Sequence, residues 1–169
     1  MKRIVVLASA VVLSLVAAGV LLAQENPLVG TWKLNVAKSK FGGSAKAPQS
    51  ETITVVAQGD GLKVTYEGIA ADGSPISYSF TTNLDGKDSP ISGTGPGDAV
   101  AITSVDANTQ TGITKKAGKT ISTWRSTVSK DGKVLTVIGK GMNPQGEPGT
   151  ATTVYDKQAP QAVHQIKHL

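Results

Sequence analysis

Val29-Gly30-Thr31-Trp32-Lys33-Leu34-Asn35-Val36 alternates with a period of two, placing Trp32, Leu34 and Val36 on one face and Thr31, Lys33 and Asn35 on the other. That is the pattern of a strand with one buried side. The same period returns repeatedly after Glu51. Ile53 and Val55 precede the turn Gly59-Asp60-Gly61; Leu62, Val64 and Tyr66 alternate with Lys63, Thr65 and Glu67; Ala71-Asp72-Gly73-Ser74 turns again; and Ile76, Tyr78 and Phe80 alternate with Ser77 and Ser79. Leu84-Asp85-Gly86-Lys87 reads as a further turn, followed by a short piece around Pro90-Ile91 that the proline confines to a sheet edge or a strand start. Further strands are expected at 99–105, 110–116, 119–129, 133–140 and 150–157, while 38–50 and 141–149 read as loops.

Short connections of the Asp-Gly and Asn type make consecutive strands antiparallel neighbours. A meander of this length must close or split into two layers, because open edges invite association. The sequence therefore predicts an all-β protein, an antiparallel up-and-down barrel of about eight to ten strands. A β-sandwich is the alternative, with the 38–50 and 141–149 loops as sheet-crossing connections.

The segment before the first strand is of another kind. Met1-Lys2-Arg3 is basic, the run from Ile4 to Leu22 is apolar apart from two serines, and Ala23 supplies a small residue at a cleavage point. Residues 1–23 have the layout of a secretory signal peptide, or of a retained N-terminal anchor. The remaining organisation is a barrel domain over 24–157 and a C-terminal tail over 158–169. The expected location is exported, periplasmic or extracellular, with an uncleaved N-terminal segment as the only membrane attachment.

Composition excludes several functions. Without cysteine there is no disulfide, thiolate metal site or cysteine nucleophile. The net charge of +5, or +3 once Lys2 and Arg3 are removed, is scattered, and aromatics are only 4% of the chain. A nucleic-acid binder needs a basic stripe with stacking aromatics, so that partner is excluded. The outward positions Lys63, Thr65, Glu67, Ser77 and Ser79 are polar, unlike the apolar band of an outer-membrane barrel.

Several motifs have ordinary explanations. Asp72, Asp85 and Asp131 belong to turns, and Gly93-Thr94-Gly95-Pro96-Gly97 lacks the lysine and helix of a phosphate loop. His164 and His168 share a metal-compatible spacing but lie in the tail with no third ligand nearby. No metal site, cofactor or catalytic set is expected, since both histidines lie outside the barrel.

Gly30-Thr31-Trp32-Lys33-Leu34 at the start and Thr152-Thr153-Val154-Tyr155-Asp156-Lys157 at the end resemble the first and last strands of fatty-acid-binding proteins. Thr31–Asn35 with Lys38-Ser39-Lys40-Phe41, then Leu84–Asp88 and Ser129–Lys133, resemble exported bacterial lipocalin-like proteins of the calycin type. The resemblance implies a barrel with Trp32 at its floor and a small hydrophobic or amphipathic ligand inside. Two features depart from it. Thirteen residues from Lys38 to Ser50 stand where fatty-acid-binding proteins have a helical lid, and Thr153-x-Tyr155 stands where they have Arg-x-Tyr.

Arg125 is the only arginine beyond Arg3 and falls in mid-strand. It is read in three ways: an internal counter-ion for a ligand carboxylate, assisted by Tyr155; a cation over Trp32 at the floor; or a surface residue, since Trp124 and Val128 have the opposite parity. Tyr66 and Tyr78 are candidate pocket residues or core. The expected function is thus a non-enzymatic exported barrel that binds a small ligand; the alternative is an envelope interaction protein with a packed barrel.

Overall fold

The computed structural model describes residues 26–160. The segment 1–23, expected to be a signal peptide or anchor, and the histidines of the tail lie outside the described residues.

Twelve strands form one antiparallel sheet: β1 Gly30–Leu34, β2 Lys40–Gly43, β3 Ser50–Gln58, β4 Gly61–Ile69, β5 Pro75–Thr82, β6 Asp85–Pro90, β7 Ser92–Gly93, β8 Ala99–Ser104, β9 Thr109–Lys116, β10 Lys119–Val128, β11 Val134–Met142 and β12 Pro148–Lys157. The hydrogen-bonded order is β6-β8-β9-β10-β11-β12-β1-β3-β4-β5-β7, with β2 added beside β12. Pairing of the first strand with the last, Trp32 opposite Lys157 and Leu34 opposite Tyr155, curls the meander into a nearly closed barrel. A seam remains between β5 and β6, which follow one another in sequence but do not hydrogen-bond. Proline at the end of β6, one of the two terminal strands of the sheet, fits its lack of a ladder donor.

The structure corrects the sequence reading at four places. The 38–50 segment is not all loop: a single 3-10 turn, Val36–Lys38, leads into β2, which pairs with β12 through Phe41 opposite Ala151. No sheet crossing occurs there. The 141–149 loop shrinks to a turn between β11 and β12, in which Asn143 Oδ1 accepts from the backbone N–H of Gln145 and Glu147. Val36 leaves the buried face, because Asn35 ends β1 and its side chain accepts from the Lys38 N–H; Val36 is exposed. Asp85, read as turn, begins β6 instead, across a register shift before Asp88.

The turn aspartates behave as their chemistry dictates. Asp72 accepts from the Ser74 hydroxyl and N–H, and Asp131 from the Ser129 hydroxyl and the Lys133 N–H. These bonds to the ionised form hold both carboxyls below the usual range.

The inward residues form one core. Trp32, Ile53, Val55, Leu62, Val64, Phe80, Val100, Ile102, Val128, Leu135 and Tyr155 are buried together. Trp32 is fully buried at the end where β1 meets β12 and its indole N–H donates to the Leu28 carbonyl at 2.8 Å, so its one polar atom is satisfied. Lys157, rather than Arg125, supplies the cation there: its Nζ lies 4.9 Å from the Trp32 ring centroid. Gly30, with φ of +138°, makes this possible, since a Cβ at that position would lie 2.6 Å from the Lys157 Cε. The Gly-x-Trp pattern therefore has a local physical reason: the glycine clears a path for the lysine stem that covers the tryptophan.

Candidate functional site

The barrel encloses a cavity of about 440 Å³. Its apolar wall includes Ile53, Val64, Phe80, Ile102, Leu135 and Val137. The lining extends to Met142 and Thr150, both exposed, so the cavity opens at the end where β11 turns into β12.

Two arrangements shape the interior. On β10, Ser122, Trp124 and Ser126 line the cavity. Trp124 is opposite Gly112 on β9 and Gly139 on β11, and the cross-strand row continues to Ile102 and Ala151. A Cβ at Gly112 would coincide with the Trp124 six-membered ring, so the indole occupies the space that the bare backbone of β9 leaves at Gly112. The pair of glycines leaves this wall thin and the space beside the indole open.

On the other side, Tyr66 of β4 and Tyr78 of β5 are directly paired, and their rings stack at 4.6 Å with an 8° interplanar angle. Phe80 continues the aromatic wall, 6.4 Å from Tyr66. Glu51 lies two residues before Ile53 on β3 and so shares its inward face. Its Oε1 accepts a hydrogen bond from the Tyr155 hydroxyl at 2.5 Å, bridging β3 and β12.

This carboxylate governs the electrostatics of the cavity. Burial pushes the Glu51 carboxyl above its ordinary range, opposed by the Tyr155 hydrogen bond. Burial, and secondarily the Glu51 charge, drives the Tyr66, Tyr78 and Tyr155 hydroxyls upward, so all three stay neutral donors at physiological pH. Deeper in the interior, the Ser126 hydroxyl donates to Gln110 Oε1 at 2.9 Å, a buried polar pair.

Of the residues singled out from sequence, the structure brings Tyr66, Tyr78 and Tyr155 together on the cavity wall and leaves Arg125 out. Arg125 is exposed and shares the outer face with Ile138 and Thr111, its cross-strand neighbours. The alternation of β10 gives the inward positions to Trp124 and Ser126, so a guanidinium at 125 reaches neither the cavity nor Trp32. Glu51, Trp124 and the flanking glycines were not foreseen as site residues. Glu51 was detectable from its parity with Ile53 and Val55; the glycines acquire meaning only from strand register.

No protein-family model and no curated protein sequence matches the chain. Among solved structures it is similar to a complex of zebrafish ileal bile acid-binding protein with cholic acid, at 13% identity and a TM-score of 0.48, over 78% of this chain and 99% of that one. It is similar to a point mutant of the fluorescent protein UnaG at 17% identity and a TM-score of 0.49, over 78% and 96% of the two chains. Lobster apocrustacyanin A1 follows at 12% identity and a TM-score of 0.42, over 83% of this chain and 66% of that one.

Proposed function

We propose that this protein is a non-enzymatic, exported barrel that binds a small amphipathic molecule within its cavity. The observation that carries the reading is the cavity itself: about 440 Å³, largely apolar, with a few convergent polar groups. Its volume falls in the range of small-molecule sites, and its mixture of apolar wall and sparse polar anchors is their usual chemistry. A barrel serving only as a scaffold for protein contacts has no need of such a space, and side chains larger than Gly139 and Ala151 would fill it. Export rests on the basic and apolar character of residues 1–23.

Titration of the purified protein with the neutral apolar dye N-phenyl-1-naphthylamine tests the proposal. Saturable binding, with quenching of Trp124 emission, is expected. The Gly139→Leu variant, which projects a side chain into the cavity, should keep the wild-type circular dichroism and lose dye binding. Absence of saturable binding by the wild type, or unaltered binding by a folded Gly139→Leu, would overturn it.

A further inference from the structure

Resting on the cavity-binding reading above, we infer that the cavity selects an amphiphile with a cationic ammonium head, seated between the Glu51 carboxylate and the Tyr66–Tyr78 aromatic wall, over one with a carboxylate head.

The charge inventory of the interior comes first. Of the residues that line the cavity, the charged ones are Glu51 and Lys140. Lys140 is exposed and shares the outward parity of Ile138 on β11, which places its ammonium away from the interior. Arg125, the guanidinium a ligand carboxylate would require, is on the outer face. The interior therefore offers one anion and no cation.

The hydrogen-bond inventory sharpens this. Among the described residues, the Glu51 carboxylate receives one side-chain donor, the Tyr155 hydroxyl on Oε1. Oε2 has no side-chain partner, yet no buried side-chain oxygen in the described residues is without a partner and shut off from space. Oε2 is accordingly accessible, on a residue that lines the cavity, and can accept from or pair with a guest. A half-satisfied carboxylate in an apolar enclosure is costly until a cation or donor completes it. A guest carboxylate would have the opposite effect, because two such anions in one enclosure force one of them to take up a proton.

The aromatic wall supplies the second half of the recognition. Stacked Tyr66 and Tyr78 present electron-rich rings beside the Glu51 charge, which acts on both hydroxyls. An ammonium head is attracted both to a carboxylate and to such rings, most strongly where water is excluded. Ile53, Val64, Phe80 and Val137 then accommodate the apolar body. An uncharged alcohol could donate to Oε2 but lacks the charge, so it should rank between the two ionic heads.

The chain as a whole carries a net charge of +5, so non-specific surface attraction favours the anion. A preference for the cation must arise inside.

The experiment is displacement of N-phenyl-1-naphthylamine at pH 8 by three probes of equal chain length, decyltrimethylammonium, 1-decanol and decanoate, all below their aggregation concentrations. The wild type should bind the ammonium about tenfold or more tighter than the carboxylate, with the alcohol between. Glu51→Gln, which keeps an acceptor for Tyr155, should reduce that ratio to about threefold or less. Decanoate binding as tightly as the ammonium in the wild type, or the full preference surviving in Glu51→Gln, overturns the inference while leaving the cavity a binding site. The wild-type comparison is decisive even if the variant does not fold. Failure of the neutral dye itself to bind would remove the cavity-binding reading, and this inference with it.

Discussion

The two ends of the barrel use the same alternating pattern to opposite effect. At the end where β1 meets β12, inward positions carry Trp32, Val55, Leu62, Phe80, Val128, Leu135 and Tyr155, all buried. Toward the opening they carry Glu51, Ser122, Gly139, Gly141, Ala151 and Thr153, and the aromatic residues beside them, Tyr66, Tyr78 and Trp124, are only partly buried. Apart from the seam between β5 and β6, backbone pairing runs through both, so hydrogen bonding does not separate them. Inward side-chain volume does: large aliphatic and aromatic residues close one end over the cavity, and small residues on β10 to β12 leave the other open. A strand period identifies a barrel, and the sizes on its inward face determine whether that barrel can hold anything.

Substituting the two tryptophans tests this contrast most severely. Trp32→Ala removes a fully buried ring with a satisfied N–H and should cost about 3–5 kcal/mol in urea denaturation, enough to unfold a marginal domain. Trp124→Ala removes an indole that faces empty space on one side and should cost only about half as much, ~2 kcal/mol, while enlarging the cavity. Equal losses at the two sites would break the distinction between a packed and a hollow end.

Gly112→Ala sharpens the same point from the wall. Its new methyl group would occupy the space of the Trp124 ring, so the ring must shift or β9 must bend, at about 1–3 kcal/mol. Combining it with Trp124→Ala should relieve most of that cost, giving a coupling of about 1 kcal/mol or more in a double-mutant cycle. Additive losses would show that the glycine is required by the backbone and not by the indole.

How much of this was legible beforehand follows from the same physics. The strand of Trp32, the alternation of Tyr66, Tyr78 and Phe80, and the Asp-Gly turns were readable because each is encoded within a few consecutive residues. β2 was hidden, since its Gly42-Gly43 reads as loop and becomes a strand only by pairing with Gly149 and Thr150, more than a hundred positions away. Arg125 was attractive as a lone cation in mid-strand, but parity with Trp124 already placed it outside. Glu51 is inconspicuous in the sequence because a charged residue at the start of a strand ordinarily faces solvent. Strand parity turns it inward, where it meets the Tyr155 hydroxyl on β12, brought beside it by barrel closure. The site depends on register between distant strands, which a single sequence does not print.

Glu51→Gln probes the cost of keeping an anion at the hollow end. Burial raises the folded-state pKa of Glu51 above its ordinary value. Between the ordinary value and the raised one, the folded chain holds more protons than the unfolded chain, so stability falls as pH rises through that window. The groups facing Glu51 are Tyr155 from β12, Tyr66 from β4 and Tyr78 from β5, all neutral there, so the carboxyl titrates alone. The amide should therefore melt a few degrees higher than wild type at pH 7, at about 4 °C per kcal/mol, and the difference should shrink as pH falls toward the ordinary carboxyl range. A gain that is constant with pH would remove the ionic explanation.

The smallest effect is expected at the packed end, where Lys157 covers Trp32. The ammonium is solvent-exposed, and a cation held over an aromatic ring from such an exposed position contributes about 0.5–1 kcal/mol. Its stem contributes separately, because Gly30 lets the methylene groups pass close over the backbone toward the indole. Lys157→Met keeps an apolar stem and discards the charge, so it should lower stability by no more than about 1 kcal/mol and leave the near-ultraviolet dichroism of Trp32 in place. Lys157→Ala removes both and should cost visibly more. If Lys157→Met alone approached the loss in Trp32→Ala, the floor would be held by charge; a small loss assigns it to burial, the same force whose absence leaves the other end of the barrel open.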